Sequence, residues 1–256
     1  NDSAGTLWVT HCGDPACRAG NVTTENVAPG GEDASITVGA NGLPLISHHD
    51  GVELRVTRCG NLRCSAGNAT VTVDQGPGQR GRYSSIAIGT DGNPVIAYQV
   101  QNASTVLRVT HCGNPTCTAG NVANTVADAP QSGTYAWLAI GSDGLPIMSH
   151  HIVCSSGQTA VFVDSVTETD GHTSIAVGRD GLPVISYWDS NGDDLWVTHC
   201  GTRRCLSGNA SQAIDAGARE VGRYSSIAIG SDGLPLIVSY DETTEAIRTA
   251  HCDTAA

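Results

Sequence analysis

The stretch YSSIAIGTDGNPVIAYQ, residues 83–99, returns in close variants at 34–49 (ASITVGANGLPLISHH), 136–151 (AWLAIGSDGLPIMSHH), 173–188 (TSIAVGRDGLPVISYW) and 224–240 (YSSIAIGSDGLPLIVSY). Each copy is two short β-branched runs joined by an Asp-Gly or Asn-Gly turn and followed by Pro, the local signature of a β-hairpin. Five hairpins predict five similar units. Between the glycines that close the first run, Gly39, Gly89, Gly141, Gly178 and Gly230, the periods are 50, 52, 37 and 52 residues, so one unit is shortened. A repeat sustained through 256 residues predicts one closed array.

A second hairpin flanks the first, clearest in TLWVTHCGDPACRAGNV (6–22), ELRVTRCGNLRCSAGNATVTVD (53–74), VLRVTHCGNPTCTAGNVANTVAD (106–128) and DLWVTHCGTRRCLSGNASQAID (194–215). Its Cys residues form four C-x4-C pairs, Cys12/Cys17, Cys59/Cys64, Cys112/Cys117 and Cys200/Cys205. Repeated pairs at strand ends read as disulfides formed in an oxidising compartment. Along each unit the strands run from small and apolar (SSIAIG) to polar and glycine-bearing (GNATVTVD), as an innermost strand and an outer edge should. The prediction is an all-β, five-bladed β-propeller with disulfide-stapled outer hairpins, one domain over 1–256. Its blades fall at 34–74, 83–127, 135–166, 172–215 and 224–252. The third lacks the Cys hairpin and offers only TAVFVDSV (159–166).

With its tandem GxDGxPxISY and LxVxxC motifs, the chain resembles the secreted bacterial β-propeller repeat proteins, and more distantly the five-bladed and larger propeller lectins. The resemblance covers essentially the whole sequence and implies architecture rather than activity, since propellers host lectins, hydrolases and scaffolds alike.

The formal net charge of −12 and pI near 4.9 argue against nucleic acid or an anionic membrane surface as partner. All 13 basic residues are Arg, so Schiff-base lysine chemistry is absent. No apolar run approaches membrane-span length. No leader precedes Asn1, and the sequence reads as a processed, extracellular product. Sequons at Asn1, Asn21, Asn68, Asn102 and Asn209 permit N-glycosylation.

The strand inventory does not close evenly. The last repeat carries EAIRTAHC (245–252), a copy of the third strand type, while the hairpin at 6–27 supplies both a third and a fourth strand. That hairpin therefore either closes the ring or joins a neighbouring subunit by β-augmentation. Cys154 and Cys252 have no C-x4-C partner and fall on turns at opposite faces, which reads as an intersubunit disulfide in a head-to-tail, filament-forming stack. The simpler alternative pairs Cys252 with Cys12 or Cys17.

Candidate chemistry is sparse. The pairs His48/His49 and His150/His151 point to opposite faces of a strand and cannot chelate together. His11, His111, His199 and His251 recur at a position where Arg58 also stands, which marks a structural role. The C-x4-C spacing fits neither haem attachment nor a zinc knuckle. Asp91, Asp143, Asp180 and Asp232, with Asn41, belong to turn chemistry. Glu168, Asp170 and Glu220 stand outside the repeat, but polar loops account for them. The sequence thus names no catalytic residue, metal or cofactor. Tyr98, Tyr187, Trp188, Asp189, Tyr240 and Asp241 at second-strand ends compose a sugar-binding alternative, set against packing between blades. The leading expectation is a non-enzymatic extracellular structural protein that self-assembles with copies of itself. A propeller lectin for cell-surface glycans comes second, and a secreted glycoside-active enzyme third.

Overall fold

The computed structural model describes residues 5–14, 17–128, 132–150, 172–189, 191–215 and 220–253. The chain forms two compact units, Asn1–Gly133 and Thr134–Ala256. Every described element is a β-strand.

In the first unit, β1 (Thr6–His11) and β2 (Val22–Pro29) make a two-stranded sheet. Two four-stranded sheets follow. The first holds β3 (Glu32–Val38), β4 (Pro44–His49), β5 (Leu54–Arg58) and β6 (Ala69–Asp74), and the second β7 (Gln79–Ile88), β8 (Pro94–Gln101), β9 (Thr105–His111) and β10 (Val122–Ala127). In the second unit β11 (Trp137–Ile140) pairs with β12 (Pro146–Ser149). A four-stranded sheet comprises β13 (Thr173–Val177), β14 (Pro183–Asp189), β15 (Asp194–His199) and β16 (Ala210–Asp215). The last sheet holds β17 (Val221–Ile229), β18 (Pro235–Asp241) and β19 (Ala246–His251). Within each sheet, strands pair antiparallel in chain order, the meander of a propeller blade, and the fold is all-β and propeller-like. Four described sheets carry three or four strands.

The hairpin motif explains itself atom by atom. At the 89–93 turn the Gly89 amide donates to the Asn93 carbonyl at 2.8 Å and the Gly92 amide to the Gly89 carbonyl at 2.9 Å. The Asp91 carboxylate accepts the Asn93 amide at 3.1 Å, as Asn41, Asp143, Asp180 and Asp232 do for the residue two positions on. Gly92 sits at φ +80°, a conformation that costs a residue with a Cβ. The same aspartates receive the recurrent histidines: His111 Nε2 lies 3.0 Å from Asp91, His199 Nε2 2.8 Å from Asp180 and His251 Nε2 2.8 Å from Asp232. Each pair ties the turn of one hairpin to the end of the third strand.

The cysteine turns are built with equal economy. Bonds join Cys12 to Cys17, Cys59 to Cys64, Cys112 to Cys117 and Cys200 to Cys205. The second Cys of each pair is left-handed, with φ between 52° and 54°. An Asn four residues beyond it, Asn21, Asn68, Asn121 or Asn209, donates to that cysteine's carbonyl and accepts the amide of the Gly after the first Cys.

Packing follows the strand alternation. Leu45, Leu54 and Val56 of one sheet meet Ile86, Ile96, Tyr98 and Val100 of the next. In the second unit Val184, Leu195 and Val197 meet Ile227 and Ile237. Serines stitch neighbouring inner strands: Ile86 N donates to Ser35 Oγ at 3.3 Å, and Ile227 N to Ser174 Oγ at 3.1 Å.

Two expectations need correction. Inner strands begin earlier than the repeat indicated, at Glu32, Gln79 and Val221, because a register shift lets the chain continue pairing past a bulge. The inner strand is not packed on both faces throughout: Ile36 and Val38 of β3 are 57% and 63% exposed. Among the described strands the hairpin at 6–27 forms a sheet of its own. It stacks Leu7, Val9, Val27 and Ala28 on Ile46 and Cys59 of the β3–β6 sheet, and β19 pairs with β18 alone among the described strands. The 159–166 segment lies outside the described residues.

At Gly113 an added Cβ would stand 2.6 Å from the Ala119 carbonyl oxygen. Gly113→Ala is therefore expected to cost roughly 1–3 kcal/mol as an overpacked turn, read as a lower urea midpoint at unchanged slope.

Candidate functional site

The bulge at the start of the inner strands places a large side chain in a strained backbone. Tyr83, Tyr135 and Tyr224 have φ of 51°, 51° and 54°, and Asp33 at the matching place has 52°. Left-handed geometry at a bulky residue costs on the order of 1–3 kcal/mol and must be imposed by its surroundings. Here the flanking ladder imposes it: β17 pairs with β18 on both sides of the bulge, with Arg223 opposite Tyr240 and Ser226 opposite Val238.

In the second unit the consequence is an aromatic row. The Tyr135 and His172 rings are 4.2 Å apart, His172 and Tyr224 4.2 Å, and Tyr224 and Tyr240 6.4 Å at 60°. His172 stands at the sequence position that Tyr135 and Tyr224 occupy in their own repeats. Tyr224 is 62% exposed.

At Arg223, the residue before Tyr224, lies a group of carboxylates. The Glu242 amide donates to the Glu220 carbonyl at 2.9 Å, which holds the two side chains at one end of the sheet. Their carboxyls share a hydrogen bond, and that bond, followed by the charge of Asp193, raises the Glu220 pKa above its ordinary value. Arg223 Nη1 donates to Glu242 Oε1 at 2.6 Å while its guanidinium lies 4.1 Å from the Trp188 ring centroid. The arginine thus keeps Glu242 paired beside Glu220. Asp193 is fixed by its own strained turn, φ 56°, where its carbonyl accepts the Val221 amide at 2.8 Å.

Most of the sequence-predicted sugar residues are structural. Tyr98 is fully buried, and its hydroxyl donates to Asp74 Oδ2 at 2.6 Å. Burial first and Asp74 second push its phenol pKa up. Asp74 also accepts Arg80 Nη1 at 2.7 Å and Arg108 Nη1 at 2.9 Å, a junction between two sheets. Tyr187 is buried with its hydroxyl 3.2 Å from Thr198 Oγ1, and Trp188 is covered by Arg223. Asp189 accepts the Asn191 amide at 3.0 Å and Asp241 the Thr244 amide at 2.9 Å, so both cap turns. Tyr240 alone of the six joins the aromatic row.

Of the charged residues outside the repeat, Glu220 lies in the carboxylate group, whereas Glu168 and Asp170 lie outside the described residues. Sequence reasoning missed the group because Glu242 and Asp193 are unremarkable in loops. It missed the row because the signal, a Tyr three residues before the repeated Ile or Leu at 83, 135 and 224, looks like packing.

Among the described residues no cluster of three or more metal-ligating side chains occurs. His48 Nε2 lies 2.9 Å from Thr57 Oγ1, and His49 Nδ1 donates to the Arg80 carbonyl at 2.8 Å. Cys252 is unbonded and half-buried, with burial pushing its thiol pKa up, while Cys154 lies outside the described residues. Asn21, Asn68 and Asn209 serve their cysteine turns, as does Asn121, which is not in a sequon; Asn102 lies in the β8–β9 turn, and Asn1 is outside the described residues.

No protein-family model and no curated protein sequence matches the chain significantly. Solved structures do share its fold. A Dyadobacter fermentans protein of unknown function aligns over 86% of this chain and 78% of its own at a TM-score of 0.56 and 10% identity. An α-L-arabinofuranosidase from Lactobacillus brevis aligns over 85% of each chain at 0.51 and 10% identity. This likeness is one of fold. The expectation of a non-enzymatic, filament-forming structural subunit is corrected by this finding, since a solved structure that shares the fold is an enzyme, the α-L-arabinofuranosidase.

Buried His48 supplies a direct probe of the first unit. Burial pushes its pKa down to about 4 from 6.5. The folded state then binds the proton less readily than the unfolded chain, so stability held above pH 6.5 is lost as pH falls toward 4. His48→Tyr, the residue found at the matching positions 98 and 187, should remove up to about 3 kcal/mol of that acid-induced loss. Urea unfolding between pH 7 and pH 4 measures the difference in slope.

Proposed function

We propose that the chain is an extracellular, five-bladed propeller that binds and hydrolyses glycosides, with its working centre at the carboxylate group beside the Tyr224–Tyr240 row. Four disulfides support an oxidising compartment. The shared fold with an α-L-arabinofuranosidase makes a pentose polysaccharide the first substrate to try.

The feature that carries the reading is the carboxylate group itself, Glu220 against Glu242 with the charge of Asp193 near, an arrangement that raises the Glu220 pKa above its ordinary value. Glycosidic cleavage needs one carboxyl that keeps its proton and a second that stays ionised across the bond, roughly 5–9.5 Å away. Glu220 and Glu242 are hydrogen-bonded and too close to be that pair. Glu220 is the general acid, Glu242 is a positioning residue that holds its proton, and Asp193 is the second carboxylate. An exposed Tyr face beside them suits the apolar face of a sugar ring.

The expected outcome is release of reducing sugar from arabinan or a related polysaccharide. Glu220→Gln should lower kcat/KM at least 100-fold, of the order expected for loss of a general acid. Activity of the parent should fall as pH rises through the raised Glu220 pKa, because the reactive form is the protonated one. Tyr224→Ala should raise KM several-fold with kcat nearly kept. Hydrolysis unaffected by Glu220→Gln would remove Glu220 from its role. Absence of both sugar binding and cleavage across a polysaccharide panel would end the glycoside reading.

A further inference from the structure

Three hairpin turns bind a histidine from the third strand of their own sheet, and the β3–β6 sheet departs from that arrangement at both ends. Register places His111 opposite Val95, His199 opposite Val184 and His251 opposite Leu236, and it places Arg58 opposite Leu45 in the same way. In the three histidine sheets the turn aspartate divides its oxygens. Oδ1 accepts the turn amide, and Oδ2 meets the histidine Nε2 at 3.0, 2.8 and 2.8 Å. In the β3–β6 sheet the turn residue is Asn41, whose Oδ1 still accepts the Leu43 amide at 3.1 Å. The atom left in the place of the aspartate Oδ2 is therefore Nδ2, a donor. The residue it would meet is Arg58, whose guanidinium also only donates.

Two donors cannot satisfy each other, and among the described residues nothing else satisfies the Arg58 guanidinium. Every other described arginine either holds an acceptor, as Arg55, Arg80 and Arg248 do, or is exposed, as Arg18, Arg63 and Arg179 are. Arg58 is half-buried and unbonded. In the other sheets the counter-charge comes from the sheet's own turn, so its loss at Asn41 is local. Arg58 lines a cavity of about 350 Å³ with Asn41, Leu43, Leu45, Pro115 and Thr116, where the hairpin turn of one sheet faces the cysteine turn of the next within the first unit. That volume falls at the small end of small-molecule sites. Thr116 Oγ1 donates to Asn114 Oδ1 at 2.8 Å, and its oxygen can still accept from a ligand hydroxyl.

We propose that this cavity binds a small carboxylate with an oxygen on the adjacent carbon, the group that a uronic acid presents. The guanidinium fork of Arg58 takes the carboxylate, the geometry in which arginine binds such groups best. Asn41 Nδ2 donates to the neighbouring oxygen, and Leu43 and Pro115 give the carbon skeleton an apolar wall. The ligand thus supplies the acceptors that the Asn41–Arg58 exchange removed. The site uses no residue assigned to hydrolysis, so the two proposals stand or fall separately.

The test is a nitrogen–proton correlation NMR titration of the whole chain with sodium D-galacturonate, with D-galactose as its neutral match. Galacturonate should give saturable shifts of the Arg58 Nε–H and Asn41 side-chain signals, and galactose none. Arg58→Gln should weaken binding roughly tenfold or more, as loss of a charge-assisted pair requires, with Tm unchanged because no internal bond is lost. Asn41→Asp restores the carboxylate of the other turns and keeps the Oδ1 cap. It should give Arg58 an internal partner and abolish binding while Tm holds or rises. A short oligogalacturonide separates the two sources of the group: binding tighter than the monomer's points to a polysaccharide, and binding no tighter to a free acid. No saturable shift, an equal response to galactose, or galacturonate binding indifferent to Asn41→Asp overturns the proposal. Sulfate bound as tightly as galacturonate would reduce the site to a general anion seat and equally overturn it.

Discussion

A bare glycine backbone lying on a leucine is the contact around which these sheets are organised. Where Gly81 meets Leu54 or Gly222 meets Leu195, any Cβ would stand within 3 Å of backbone atoms, so the approach of one sheet to the next is set by the absence of a side chain. With that approach fixed, the residues that follow have little freedom. The next side chain is thrown across the preceding sheet, as Arg223 is onto Trp188, and the one after is forced into left-handed geometry. The aromatic row of the second unit is a product of this spacing: it exists because several strands are made to bulge at the same place.

Compared with that seam, the turns are self-sufficient. Each Gly-x-Asp-Gly turn and each cysteine turn satisfies its own amides and carbonyls within a few residues, and the disulfide closes a loop already held by an asparagine. Such local closure lets an acidic chain with only one Phe and four Trp maintain its edges. It also accounts for three sequons without invoking glycans, since Asn121 makes the same two hydrogen bonds outside one.

Charge enters where the repeat breaks. Asp74 gathers Arg80, Arg108 and the Tyr98 hydroxyl into a buried junction, and its counterpart Asp215 receives Arg248 at 2.7 Å. Glu220 and Glu242 have no such saturation. They meet at the surface, where Arg223 donates to Glu242 and the neighbouring carboxyl and the charge of Asp193 raise the Glu220 pKa.

The sequence by itself determined the hairpins, their turns, the four cysteine pairings and the blade-like strand order. Those depend on residues within about 20 positions of one another and on φ values only glycine tolerates cheaply. Tertiary structure decided everything that depends on one sheet meeting another. It buried Tyr98, Tyr187 and Trp188, turned Asp189 and Asp241 into caps, and brought Glu220 to Glu242 and Tyr135 to Tyr224 through His172. A two-residue period says that a side chain leaves the sheet, but whether it meets solvent, a neighbour's ring or another carboxylate is set by how closely the next sheet approaches, and the glycines fix that distance in space rather than along the chain.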